Sequence, residues 1–517
     1  LASALLANGV DLVGRSFKYH RRRGFFSNGP EEPNALVRLR TGARVEPNTR
    51  ATMVPLYDGL VAESQNRWPS LKRDIQGLNW LLSPFIPSGF YYKTFMGPFA
   101  NTKLWMWFEK RIRKAAGMGT GTHEADPDDY DQMSAHCEVL VVGGGPAGLS
   151  AARAAAATGV RVILVDEREE PGGRLLMDRE TVEDRPGDQW ADAVREELAG
   201  MDNVRLLPRT TAFGYYDQNL VACVERVADH LIEPPPFVPR QRLWQIRADE
   251  VVLATGAIEL PLAFADNDVP GVMLAGAARA YANQYGVLVG KRVILATTND
   301  DAYKTAFDLD EAGAYVESIV DLRPKGAPPA LRQEAKERQI DILHGWAPVK
   351  VQHQKGVVRG LAVLKLDEGG RAVGQQRATG CDVIAISGGW QPTLHLSSQT
   401  GAKAVWDAEK ACFLPGEPRQ RERSAGACAG RFTLAECLAT GHEAGLAAAE
   451  AAGGERPDLT APRAEAAAEN PPRALWECPK PINTPGKRFV DLQDDVTVSD
   501  VRLAHREGYI SVEHLKR

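Results

Sequence analysis

The chain has 517 residues, 44% of them hydrophobic and 25% charged. That is too long for one core and ordinary for a soluble globular protein of roughly two to four domains. Sixty-two lysines and arginines stand against 67 aspartates and glutamates, a net charge of −5, so no pull toward nucleic acid or an anionic membrane is expected. Seven scattered cysteines without a Cys-x-x-Cys pair argue against a disulfide scaffold or zinc ribbon and fit a reducing cytoplasm.

Residues 1–13 are mostly apolar but lack an initiating Met and a basic flank. They read as a helix of a domain begun upstream, not as a signal peptide, and the chain is expected to be cut at its start and to end abruptly on Lys516-Arg517. No window reaches about 18 uncharged apolar residues, so no membrane span is expected. Residues 1–55 pair a short helix over 1–8 with a strand over 35–40. Residues 56–130 gather Trp68, Trp80, Phe85, Phe90, Phe95, Trp105 and Trp107, a density that suits packing or a subunit contact. A Gly- and Asp-rich linker over 117–131 closes that segment.

Apolar runs at 138–142, 161–165, 250–254, 291–297, 315–321 and 382–387 read as strands. They alternate with helical runs such as 149–158 and 274–285, which predicts doubly wound α/β structure. Residues 131–290 form a first dinucleotide-binding subdomain, 291–400 a degenerate second one, and 401–455 a return to the first, with an Ala-rich helix over 444–452. Residues 456–517 supply a Pro/Glu/Ala linker and a separate small C-terminal unit.

The chemistry concentrates in one constellation. Glu138-Val-Leu-Val-Val142 runs into Gly143-Gly-Gly-Pro-Ala-Gly148 and then a helix. Gly143 permits the tight turn, Gly145 lets the backbone approach a pyrophosphate, and Gly148 lets the helix pack against the strand. The next strand ends at Asp166-Glu167, about 20 residues after the first glycine, where a carboxylate takes an adenosine ribose and disfavours a 2′-phosphate. Pro171-Gly-Gly-Arg-Leu175 and Val251-Val-Leu-Ala-Thr255-Gly256-Ala257 follow in the order of two-dinucleotide flavoproteins. The fold class is therefore α/β with two Rossmann-like subdomains similar to the flavin-disulfide-reductase type.

Two departures qualify that likeness. A second glycine turn is due after the strand at 291–297, but the chain reads Thr297-Thr-Asn-Asp-Asp301, whose acids are expected to repel a pyrophosphate. The flavin-binding Gly-Asp is replaced by Ala425-Gly-Ala-Cys-Ala-Gly430. One nucleotide site remains, and its chemistry favours NAD over FAD.

These departures occur together with Gly14-Arg-Ser-Phe-Lys-Tyr-His-Arg-Arg-Arg-Gly-Phe-Phe26, Glu31-Glu-Pro-Asn-Ala-Leu-Val37, Tyr91-Tyr-Lys-Thr-Phe-Met96, Ala296-Thr-Thr-Asn-Asp300, Phe489-Val-Asp-Leu-Gln-Asp-Asp-Val-Thr-Val498 and Ser511-Val-Glu-His-Leu-Lys-Arg517. With these segments the chain resembles, over nearly its whole length, the α subunit of heterotetrameric sarcosine oxidase. The resemblance implies a ferredoxin-like N-terminal segment. Residues 1–136 hold no cysteine, so that segment is expected to lack its iron–sulfur cluster.

The resemblance further implies β, γ and δ partner subunits, with FAD and amine oxidation on β. It implies FMN at the α/β interface, NAD held by this chain, and tetrahydrofolate on a C-terminal domain that would follow Arg517. Carried onto this sequence, the NAD contacts fall on Ala147, Asp166, Glu167, Arg168, Arg174, Ala212, Ala427, Phe432 and Leu434, beside the glycine turn and Thr255–Gly256. Arg168 and Arg174 suit a pyrophosphate or a solvated surface equally. Lys487, Arg488, Lys516 and Arg517 could reach the FMN phosphate or form a solvated charge run. No histidine shows metal spacing, and no catalytic residue is assigned to this chain. The rival readings are a self-contained FAD-dependent NADH oxidoreductase, a subunit of a related amine or opine dehydrogenase, and a scaffold with an empty pocket.

Overall fold

A strand buried on both faces needs an unbroken apolar run, and the run ending at Val142 has one. Leu140 and Val141 are each 0% exposed. The computed structural model describes residues 1–86, 100, 102–115, 119–466, 468–481 and 484–516. It places this strand, Tyr130–Val142, at the middle of a seven-stranded sheet. The strand begins earlier than its apolar part because the alternating residues 130–137 pair in parallel with Gln241–Leu253. Parallel neighbours on the other side are Val162–Val165 and then Val204–Leu207. Leu220–Arg226 and Thr210–Tyr216 extend the far edge in antiparallel fashion, and Glu422–Ser424 joins Gln241–Leu253 in parallel.

This sheet belongs to a unit made of Pro127–Glu259 and Gly389–Pro472. Its crossover helix, Pro146–Ala156, carries Pro at the first turn, where a missing N–H costs nothing. A second helix, Leu434–Ala451, packs against it. That helix starts ten residues before the Ala-rich run at 444 because Thr433 and Glu436 form a capping box. Gly441 and Gly445 allow the approach, since a Cβ on either would lie 2.1 or 2.2 Å from the carbonyl oxygens of Ala147 and Ala151.

The other unit comprises Leu1–Asp126, Leu260–Gly388 and Arg473–Arg517. Its centre is a five-stranded parallel sheet in the order Val272–Leu274, Val383–Ser387, Arg292–Thr297, Tyr315–Asp321 and Asp341–His344. Residues 260–290, read from sequence as the end of the first subdomain, thus serve this second sheet. An antiparallel sheet of Trp346–Gln354, Val357–Leu366 and Ala372–Gly380 follows. The N-terminal segment adds the helix Ala2–Ala7 and the strands Glu46–Arg50, Leu36–Leu39 and Ala62–Ser64.

The C-terminal stretch does not stand apart as the sequence suggested. Phe489, Leu492 and Cys478 lie in the same apolar core as Tyr19, Phe25 and Val293. Among the described residues no helix is long and apolar enough to cross a membrane. Phe90, Phe95 and the segment Tyr91-Tyr-Lys-Thr-Phe-Met96 lie outside the described residues.

Candidate functional site

The glycine turn at 143–148 links the central strand to its helix, and each glycine answers a different demand. Gly143 has φ +98°, and a Cβ there would lie 2.4 Å from the Ala254 carbonyl oxygen. At Gly148 a Cβ would lie 1.8 Å from the Gly143 carbonyl oxygen, so the helix can meet the turn only without a side chain. Gly145 differs. Its φ of −73° suits any residue, and the nearest atom to a Cβ there would be the Gly173 Cα at 3.9 Å. Among the described residues, nothing demands a glycine at 145.

Asp166 ends the neighbouring strand and turns its carboxylate back onto the turn. Oδ2 accepts the Gly144 N–H at 2.6 Å, and Oδ1 accepts the Arg168 N–H at 2.8 Å. The strand Thr210–Tyr216 is tied to the same corner, because the Thr210 N–H donates to the Asp166 carbonyl at 2.7 Å. Burial pushes the Asp166 carboxyl above the usual carboxylate range, against the pull of the two amides and of Arg168. A carboxyl raised on folding contributes its stability below its unfolded pKa of about 3.9 and loses it as pH rises through the folded value. In melts of nucleotide-free protein, the margin of wild type over Asp166→Asn should therefore shrink as pH rises above the ordinary carboxylate range. A margin that widens would mean that the amide bonds outweigh burial.

Most of the other sequence-derived candidates gather here. Ala147 is buried beside Gly426, whose Cβ would lie 2.6 Å from the Ala147 Cβ, so the loop carrying Ala427 abuts the turn. Thr255 Cα would lie 3.3 Å from a Cβ on Gly143, and its hydroxyl donates to the Thr393 carbonyl at 2.9 Å. Gly256 has φ +72°, and among the described residues no atom lies within 4 Å of where its Cβ would stand. Arg174 follows Gly173, binds Asp178 through Nε at 2.8 Å, and lies 4.7 Å from the Trp390 ring centre.

Ala212 and Arg168 are half-buried near the strand ends, as is Glu167, whose carbonyl accepts from Arg226 at 2.6 Å. Phe432 is half-buried, and Leu434 points into the apolar core at the start of its helix. Lys516 ends the helix Val512–Lys516 in the other unit; its side chain and all of Arg517 lie outside the described residues. Sequence reading did not single out Gly173, Gly426 or Trp390 as parts of the site. Pro171-Gly-Gly was visible as a motif, but only the packing of Gly173 on Gly145 shows its use.

The corresponding corner of the five-stranded sheet, at 297–301, is filled by its own side chains. The Asn299 side-chain oxygen accepts the Asp301 N–H at 3.0 Å, and its amide donates to the Ser387 hydroxyl at 2.8 Å. Asp300 pairs with Arg323 at 2.7 Å and Asp301 with Arg279 at 3.2 Å. Each arginine also pairs with a second acid, Arg323 with Asp321 and Arg279 with Asp308, so the acids outnumber the arginines here. The Asn299 side chain thus occupies this helix start, beside acids of the kind noted in the sequence.

The fold and the glycine turn are those of an α/β oxidoreductase with a nucleotide- or flavin-binding fold. Residues 137–295 match the family described as pyridine nucleotide-disulphide oxidoreductase, residues 1–67 match a 2Fe-2S iron-sulfur cluster binding domain, and residues 485–517 match the sarcosine oxidase A3 domain. The chain is 47% identical to the sarcosine oxidase subunit alpha of Rhizobium meliloti (strain 1021), an alignment covering 100% of this chain and 51% of that protein. Identity to the subunit of the same name from Corynebacterium sp. (strain P-1) is 38%, over 100% of this chain and 49% of that one. The crystal structure of L-proline dehydrogenase from P. horikoshii shares the fold with a TM-score of 0.60 at 18% identity, covering 100% of this chain and 83% of that one.

The chain belongs to the sarcosine oxidase subunit alpha family, and it spans about half the length of the curated relatives it matches. One implied group does not fit: residues 1–67 contain no cysteine, so the ferredoxin-like segment offers no thiolate to an iron–sulfur cluster.

Proposed function

We propose that this chain is the NAD-holding α subunit of a multimeric sarcosine oxidase that also uses FAD and FMN. The observation that carries the reading is Gly145, a glycine required neither by its own φ nor by its neighbours. It stands at the start of an 11-residue helix whose first amides and dipole suit a pyrophosphate. The acids Asp166 and Glu167 at the strand tip suit an adenosine ribose without a 2′-phosphate. The 425–430 loop lacks the acid a flavin's ribityl chain would need, and the 297–301 corner is filled from within, which favours a held NAD over a flavin–NADH pair.

In this reading the β subunit oxidises sarcosine on FAD, FMN relays electrons to oxygen, and γ and δ complete the complex. Sarcosine, oxygen and water become glycine, formaldehyde and hydrogen peroxide, or the one-carbon unit leaves on tetrahydrofolate. A basic pocket of about 170 Å³ lined by Lys480, Lys487, Arg488, Ser499 and Arg502 suits the FMN phosphate.

Gly145→Ala is the decisive variant. It should stay within about 1 kcal/mol of wild type in denaturant unfolding, the cost of alanine at a helix N-cap, while losing most of the nucleotide released on acid extraction. Mass spectrometry should identify that nucleotide as NAD, still oxidised after sarcosine turnover by the assembled complex. Release of FAD, conversion to NADH during turnover, or full nucleotide content in Gly145→Ala would refute the reading.

A further inference from the structure

The segment similar to an iron–sulfur domain keeps a closed loop although it has no ligands for a cluster. Residues 24–35 turn around the carboxylate of Glu32, a residue 0% exposed. Its Oε2 accepts the N–H groups of Phe26 at 2.9 Å and Ser27 at 2.7 Å. Its Oε1 accepts those of Asn34 at 2.7 Å and Ala35 at 3.1 Å. The same loop is fastened to the second sheet's first helix and strand. The Phe26 carbonyl accepts the Leu274 N–H at 2.8 Å, and the Ser27 carbonyl accepts the Tyr281 hydroxyl at 2.9 Å.

An iron–sulfur cluster is a buried anion whose sulfurs take hydrogen bonds from surrounding groups. Four main-chain donors converging on one dry carboxylate reproduce that electrostatic arrangement without metal. We propose that Glu32 takes the place, in charge and in hydrogen bonding, that a 2Fe–2S cluster holds in a ferredoxin loop. The N-terminal segment is then an electron-silent element that braces the strand Val272–Leu274 and the helix Ala275–Asn283. Electrons handled by the complex take a route that excludes residues 1–67. This holds whichever nucleotide occupies the glycine turn. Burial pushes the Glu32 carboxyl upward, and the four amides oppose that push.

Three measurements on the full chain test the assignment. Iron and acid-labile sulfide in protein purified without oxygen should be absent, and stoichiometric iron would overturn it. In wild type, the amides of Phe26, Ser27, Asn34 and Ala35 should be among the slowly exchanging hydrogens; exchange as fast as in exposed loops would overturn it without any variant. In Glu32→Gln, which keeps the shape but turns an NH2 toward two of the donors, these four amides should exchange about ten- to hundredfold faster. The amides of Gly144 and Arg168 in the other unit should not change. Unaltered exchange at the four loop amides in Glu32→Gln would overturn the proposal. Should that variant fail to fold, Glu32→Asp, whose shorter reach loosens the same bonds, takes its place with the same two outcomes.

Discussion

Gly148→Ala should abolish the proposed nucleotide binding and destabilise its unit by about 3 kcal/mol or more, at or beyond the upper end of ordinary overpacking. The added methyl would sit 1.8 Å from the Gly143 carbonyl oxygen and 3.4 Å from the Ala254 Cβ. Neither side can give way cheaply. The Gly143 N–H is held by the Val165 carbonyl at 2.9 Å and the Ala254 N–H by the Val142 carbonyl at 2.8 Å. The helix Pro146–Ala156 also touches Leu434–Ala451 through Gly441 and Gly445, which limits how far it can shift. Gly256→Ala is the control. Its φ of +72° imposes strain but no collision, so about 1 kcal/mol is expected. Denaturant unfolding reports both. Equal midpoints for the two variants would remove the steric account of the turn.

Asp495→Asn should cost the other unit about 3–5 kcal/mol, the range for removing one partner of a buried ion pair. Asp495 is 0% exposed and accepts from Arg23 at 2.5 Å and from the Lys18 and Tyr19 N–H groups at 2.8 Å each. Arg23, 1% exposed, also pairs with Asp268 and lies 4.8 Å from the Phe489 ring centre. The carboxylate thus joins the N-terminal segment to the C-terminal stretch through groups that water cannot reach. An asparagine keeps the volume, removes the charge, and sets an NH2 against one of those donors. Removing the exposed Glu109–Arg113 pair, by contrast, should change stability by less than about 0.5 kcal/mol. Urea unfolding of the two variants side by side checks the ranking, and a small effect at Asp495 would mean that this junction is not energetically significant.

The glycine turn, the acidic strand tip, the missing flavin acid and the cysteine-free N-terminus were all legible along the chain. Each is a matter of residue type, order and spacing along the chain. The capping box Thr433-x-x-Glu436 was equally readable and would have moved the start of its helix from 444 to 434. The pairing of residues 130–137 was not, because polar alternation becomes a strand only when a partner such as Gln241–Leu253 lies alongside.

By itself the sequence determined that a glycine turn follows the strand at 138–142 and that none follows the strand at 291–297, since those statements need only residue type and order. Only the tertiary structure decided that Gly173 and Gly426 pack around the turn, that Asp166 accepts the turn's Gly144 amide, and that Glu32 closes a loop left without thiolates. It also decided that the C-terminal stretch shares a core with the N-terminus. The reason is physical: these contacts mostly join residues far apart in the chain, or depend on which way a buried carboxylate turns. Close packing and the need to satisfy every buried polar group settle both.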